Sequence, residues 1–392
     1  MAGKTAALRK LLAEEAFIHM PVAYDALGGR LIEKTGFKVA YVGGFVTGGS
    51  RCTSEPMLTL DEQVRVAGDV AKAVGIPVLA DAGAGFGEPL HTMRTVREFM
   101  HAGIAGIHIE DQLFPKRAHY HKYVAHVIPR KEFADKIRLA CRQRDQTDMD
   151  FVIIARSDSC RFEGLDEAVS RVNLAAEHGA DMGMIFPRDL GELQQAPKLA
   201  KIPLVYVVSR GNRDNRPVAS AAQLAEMGYK VALDALLYLL VSFHFNKRAL
   251  EELKATGDFT GLSHEECVTA RHDIESLVGL DEFYAIEEET VEDKKWGERQ
   301  TGGNGRSRDP LSPRLVRPAL PARACWPSRI PWFGAVRGAA SRHTGGRDAS
   351  CSDCPTSRGR RRSSGAGRRI AAGSQTRSIP RSAPSPPLPA SR

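Results

Sequence analysis

Two carboxylates, one arginine and a basic loop could act together if the fold brings them to one place. Asp81 ends an apolar run in LADAGAGFGEP (79–89), and Glu110 ends another in IHIEDQLFPKRAHYH (107–121). Arg156 ends a third, in IIARSDS (153–159). Two hard oxygen ligands facing a cleft suit Mg2+, which keeps several waters and takes further ligands from a substrate. An arginine opposite them matches the two oxygens of a substrate carboxylate. The basic loop supplies Lys116, His119, Tyr120 and His121 as candidate catalytic residues, since imidazole and phenol can move protons. The glycine-backed amides of YVGGFVTGGS (41–50) could cradle a carboxylate or an oxyanion. Each feature also has a plainer reading. Rim acids pair with arginines or cap helices, Arg156 can sit in a structural salt bridge, and the loop side chains can simply close a lid.

Chemistry of this kind needs a scaffold that delivers strand ends to one rim. Short apolar runs read as strands at 17–22, 39–42, 77–80, 104–109, 151–155, 182–186, 204–208 and 231–233. Helix-period segments alternate with them, among them 60–74, 91–102, 131–144, 165–178 and 219–226. Gly36, Gly75, Gly103, Gly179 and Gly228 follow helix ends, as C-terminal caps do. Eight alternations over about 240 residues predict a (β/α)8 TIM barrel, whose loops after the strands carry function. A doubly wound open sheet fits less well, because the first turn lacks a glycine-rich dinucleotide fingerprint. Two further helices are expected at 235–256 and 264–277, and the acidic DEFYAIEEETVEDKK (281–295) closes the body. The terminal helices could pack on a neighbouring subunit or cap their own barrel.

The chain has 392 residues and a formal charge of +8, but that charge is unevenly spread. Residues 301–392 carry 18 arginines, no lysine, three aspartates and no glutamate, a balance of +15, whereas 1–300 stand at −7. The domain reading is therefore a barrel with C-terminal helices over 1–300 and a disordered basic tail over 301–392. The tail's composition fits a frame-shifted reading frame or a genuine basic arm, and any nucleic-acid contact is expected only there. Within it, Cys351 and Cys354 form a single CxxC, and PSPPLP (384–389) could adopt polyproline II. Seven scattered cysteines without a secretory leader are expected to be reduced thiols in the cytoplasm, and no segment suits a membrane span.

Read together, AYDALGGRLIEKTGFKVAYVGG (23–44), LADAGAGFG (79–87), GIHIEDQLFPKR (106–117), IIARSDS with GLDEA, and GADMGMIF (179–186) resemble the isocitrate lyase and phosphoenolpyruvate mutase superfamily. The resemblance covers roughly 16–256. It implies a (β/α)8 barrel that binds Mg2+ and an α-oxo acid or its enolate, and that cleaves or forms the adjacent bond. It places Asp81 and Glu110 at the metal, Arg156 on the substrate carboxylate, and Tyr41, Gly43, Gly44 and Phe45 in the segment that holds that carboxylate. Many members are tetramers that exchange C-terminal helices, so a homo-oligomer is expected.

The chain departs from the pattern at four places. The usual DxD reads Asp81, Ala82, Gly83, and the upstream aspartate is replaced by Ser54, with Glu55 beside it. The lyase KRCGH loop reads Lys116, Arg117, Ala118, His119, Tyr120, so its cysteine is missing. Phe186, Pro187 and Arg188 stand where a glutamate is usual after the sixth strand. An orthodox isocitrate or methylisocitrate lyase is therefore not expected. What remains fits a Mg2+-dependent carbon–carbon lyase or decarboxylase acting on a small oxo- or hydroxy-dicarboxylate through a pyruvate-like enolate. Phosphonate P–C chemistry, or an inactive barrel serving as a binding or assembly module, are the alternatives.

Overall fold

The computed structural model describes residues 2–122 and 124–291, apart from the side chains of Ala2 and Tyr120. The tail, with its CxxC and proline-rich end, lies outside the described residues, as does the Tyr120 side chain. The chain begins with α1 (Ala2–Glu14) and β1 (Ile18–Pro21), followed by α2 (Ala26–Lys34), β2 (Ala40–Val42), α3 (Gly44–Ser50) and α4 (Leu60–Ala73). Next come β3 (Val78–Asp81), α5 (Pro89–His101), β4 (Gly106–Glu110), α6 (Arg130–Thr147) and β5 (Val152–Arg156). Then follow α7 (Cys160–Glu163), α8 (Leu165–Glu177), β6 (Met182–Met184), α9 (Leu190–Leu199), β7 (Leu204–Val208), α10 (Ala221–Met227) and β8 (Val231–Asp234).

All eight strands are parallel, in the order β1-β8-β7-β6-β5-β4-β3-β2. The remaining seam between β1 and β2 is drawn together past the strand ends, where Ala23 N donates to Tyr41 O at 2.8 Å. The expected (β/α)8 barrel is thus the observed one. Its strands are buried on both faces, which is why they read as continuous apolar runs.

The two ends of the barrel are filled differently. At the N-terminal end, Leu8 and Leu12 of α1 meet Met20, Leu79, Ile154 and Met182. Leu8 is 1% exposed, and burying such a side chain contributes roughly 2 kcal/mol. At the C-terminal end the strands finish on polar residues: Asp81 on β3, Glu110 on β4, Arg156 on β5 and Asp234 on β8. Four of the eight strands thus bring a charged side chain to that mouth.

Helix ends follow local rules, with some corrections. Thr59 and Glu62 form a capping box that starts α4, and Ser220 and Gln223 form another at α10. Gly36, Gly103, Gly179 and Gly228 have positive φ as expected, but Gly75 does not, because α4 ends on extended Val74. Sequence periodicity did not single out α2, α3 or α9, which contain glycine pairs or Pro197. In α2 the glycine has a packing purpose. A Cβ on Gly29 would come within 2.9 Å of Val70, so its absence lets α2 lie close on α4.

Beyond the barrel run α11 (Leu237–Thr256), α12 (His264–Val278) and α13 (Leu280–Thr290), the last formed by the acidic closing segment. α12 rests against α2. None of the three helices buries a single residue, and Phe243, Phe245 and Leu250 of α11 are 68%, 59% and 65% exposed. No helix of the described residues is long and apolar enough to cross a membrane.

Candidate active site

Adjacent strands set the central carboxylates side by side. Asp81 pairs in register with His108, and Glu110 with Arg156. Asp81 accepts Gly44 N at 3.0 Å and Gly83 N at 2.8 Å. A Cβ on Gly44 would lie 3.0 Å from Asp81 Oδ2 and 2.7 Å from Glu55 Cγ, so a glycine is needed for this approach. Gly83, where the usual motif has a second acid, sits at φ +49° and gives its amide instead. Burial opposes ionisation of Asp81, but His108, Arg156, Lys116 and the Gly83 amide outweigh it and hold the carboxyl well below the usual range.

Glu110 is fully buried, with Arg156 Nη1 at 3.1 Å and Lys116 Nζ at 2.9 Å. Burial pushes its pKa up to about 7, against the pull of those two cations. Lys116 also pairs with Glu55, which turns inward from the short turn Glu55–Met57. Arg156 continues to Asp158 at 3.2 Å, and Asp158 accepts from Gln112 at 2.8 Å. Behind this layer, Asp111 accepts Ser157 Oγ at 2.6 Å and Asp158 N at 2.9 Å, and faces Arg171 at 3.3 Å. Burial raises the Asp111 pKa to about 6. That buried network fixes the backbone just beyond Arg156.

The shelf opens into a cavity of about 190 Å³ floored by Tyr41, Asp81, His108 and Arg156, with Phe45 and His121 at its entrance. Tyr41 Oη lies 2.6 Å from His108 Nε2, and their rings stack at 5.8 Å. Burial depresses the His108 pKa to about 4, so the imidazole is neutral at physiological pH. His108 Nδ1 is buried without a hydrogen-bond partner.

The inner layer holds four carboxylates, Glu55, Asp81, Glu110 and Asp158, against two cations, Lys116 and Arg156. Among the described residues no three of His, Cys, Asp and Glu form a group that could hold a metal ion. Glu110 Oε1 is nevertheless buried, with Lys116 Nζ at 2.9 Å as its ion-pair partner. The surplus negative charge of these buried carboxylates fits a hydrated Mg2+, which needs few protein ligands.

The barrel therefore gathers Tyr41, Gly43, Gly44, Phe45, Asp81, Glu110, Lys116 and Arg156 at one mouth. His121 joins them at 5.9 Å from the Phe45 ring, its pKa lowered chiefly by burial. His119 does not; it is exposed and stacked on His126 at 6.5 Å. Sequence reading passed over three participants. His108 was hidden as one more strand residue, and Asp158 as part of a quoted motif. Arg216, in the loop after β7, had no periodic signal at all. Alternation along β4 could have flagged His108, since residues two apart share a strand face and Glu110 was already singled out.

The profile of the family described as phosphoenolpyruvate phosphomutase matches residues 8–253. The chain is 34% identical over 286 residues to the chloroplastic carboxyvinyl-carboxyphosphonate phosphorylmutase of Arabidopsis thaliana, covering 71% of this chain and 82% of that one. It is 30% identical to the 2,3-dimethylmalate lyase of Eubacterium barkeri, over 72% of this chain and 96% of the relative. A crystal structure of 2,3-dimethylmalate lyase in its trigonal form matches with a TM-score of 0.67 at 28% identity, over 74% of this chain and 96% of that one.

Proposed function

The chain belongs to the phosphoenolpyruvate mutase and isocitrate lyase superfamily, and from that premise we propose that it is a carbon–carbon lyase acting on a small oxo- or hydroxy-dicarboxylate. The observation that carries this reading is the register pair of Glu110 with Arg156, beside Asp81, at the water-poor mouth of the barrel. Arg156 binds the carboxylate of the oxo-acid unit, and the amides of the segment Gly43–Phe45 border it. In such a cleavage a base accepts the substrate hydroxyl proton and the neighbouring bond breaks to give a carbonyl. Its electron pair is left in an enolate that then takes up a proton. His121 is the loop group that lines the cavity and is placed to carry those protons, while Lys116 lies behind it against Glu55 and Glu110. Asp81 and Glu110 would hold Mg2+, which would supply electrostatic stabilisation of the hydroxyl oxygen as it loses its proton and becomes the oxo-acid carbonyl.

Phosphonate chemistry is the weaker reading despite the name of the Arabidopsis relative. Lys116 is engaged by Glu55 and Glu110, and Arg117 is exposed, so the loop offers little positive charge to a phosphonate. The decisive test is calorimetry with oxalate, a mimic of the oxo-acid unit. Oxalate is expected to bind only with Mg2+ present, and turnover should appear in a panel of hydroxy-dicarboxylates. Failure of both Mg2+ and oxalate to bind would leave a barrel with a binding or assembly role.

We extend the proposal to assembly: a second copy covers α11 to α13 by exchange of these helices. Three helices without a buried residue, with Phe243 and Phe245 outward, form an apolar surface that a lone subunit leaves in water. Phe243→Asp should lower the mass seen in analytical ultracentrifugation, and an unchanged mass would exclude α11 from the interface.

A further inference from the structure

Past Phe186 the mouth opens into a second cavity of about 280 Å³. Three arginines from three successive strand-to-helix loops converge on it: Arg161 on α7, Arg188 after β6 and Arg216 after β7. Phe162, Phe186 and Ala125 complete its apolar wall. Phe186 and Arg216 line this cavity and the central one alike. The Phe186 ring lies 4.9 Å from Arg156 Cζ and 4.8 Å from Arg216 Cζ, so both guanidinium groups share contact with one phenyl ring.

The charge around this second cavity is positive. Asp158 is committed to Arg156 and Gln112. Asp214 is shared between Arg161 at 3.4 Å and Arg216 at 2.8 Å, and Arg188 turns its Nε to Glu192 at 2.8 Å. Arg216 Nη1 is buried without a hydrogen-bond partner, so a donor remains. A guanidinium with a spare donor beside two phenyl rings suits a carboxylate carried on an apolar arm. The volume allows roughly nine water-sized groups at about 30 Å³ each, more than an acetate-sized fragment requires.

We propose that this cavity is the subsite for the departing fragment of the substrate, and that this fragment bears the second carboxylate on a branched apolar arm. The proposal rests on the lyase reading above. Phe186, which replaces the usual acid after the sixth strand, then turns from a defect into a specificity element: it presents an apolar face where a glutamate would repel a carboxylate.

Isovalerate, a branched monocarboxylate of suitable size, is titrated by calorimetry into the Mg2+ and oxalate complex. Isovalerate is expected to bind that complex at least tenfold more tightly than acetate. Ala125→Phe, which fills the cavity, and Arg188→Ala, which removes a half-exposed charge, should each weaken isovalerate about tenfold while oxalate affinity stays within twofold. Intact oxalate binding with no isovalerate binding, or with binding indifferent to both variants, overturns the subsite and leaves the lyase reading standing. Loss of oxalate binding in the wild-type protein takes down the lyase reading and the subsite with it.

Discussion

The two sides of the barrel mouth are built on opposite principles. On the β3 to β5 side, Asp81, Glu110, Lys116 and Arg156 are each less than 10% exposed, the last three held by reciprocal ion pairs and Asp81 by the Gly44 and Gly83 amides. On the side formed by the segments after β5, β6 and β7, Arg161 and Arg188 are about half exposed, at 44% and 51%, around an open cavity. The first side is over-determined, since no charge there can be removed without stranding another in a medium of low polarity. The second is more permissive, since Arg161 and Arg188 keep access to water, although Asp214 and Arg216 are largely buried there. A reaction centre that must not move and a substrate pocket that must be free to diverge would be expected to divide in this way.

Substitutions separate the two sides by their effect on folding. Arg156→Ala leaves Glu110 and Asp158 buried without their shared partner, so unfolding by denaturant should show a loss of about 3–5 kcal/mol together with loss of oxalate binding. A variant of near-normal stability would mean the shelf is not coupled as its geometry implies. Lys116→Met is expected to cost about 3 kcal/mol, because Glu55 then loses its cation and Glu110 keeps only Arg156. Added Mg2+ should restore part of that loss, so its stabilising effect should be larger in the variant than in the wild type. Equal Mg2+ effects in both would place the ion away from Glu110. Third in size is the Mg2+ effect itself. At about a hundred times its dissociation constant the ion should stabilise the folded protein by roughly 2.7 kcal/mol, read as a rise in melting temperature. Asp81→Ala should abolish that rise, whereas a rise retained in full would move the metal off β3.

How much of this could be read from the sequence differs between the same two sides. Asp81, Glu110 and Arg156 each end an apolar run, and in a parallel barrel the ends of neighbouring strands meet, so their convergence was legible. Glu55 was seen only as a neighbour of Ser54. Its inward turn depends on Lys116, some sixty positions away, and no local pattern encodes that pairing. The loop after β7 was not legible, because Asp214 and Arg216 lie in an irregular segment whose spacing carries no period. The same limit applies to α11 to α13. Their periodicity announced helices, but the partner of their apolar faces is not written in residues that this chain buries.

Phe186 stands on the border and offers the finest test of the division. Its ring contacts Arg156 on the fixed side and Arg216 on the open side at nearly equal distances, 4.9 and 4.8 Å. Phe186→Leu keeps an apolar side chain but removes the π face, and each cation–π contact of this kind is worth about 0.5–1 kcal/mol. The stability loss should therefore be about 1 kcal/mol, well below that of Arg156→Ala. If the border works as a support for Arg156, oxalate should weaken a few-fold even though Phe186 contributes no hydrogen bond to it. If Phe186 belongs to the open side alone, oxalate affinity should be unchanged and only isovalerate should suffer. The ratio of the two losses, measured in one variant, locates the boundary between the part of the mouth fixed by its own charges and the part left free to select a substrate.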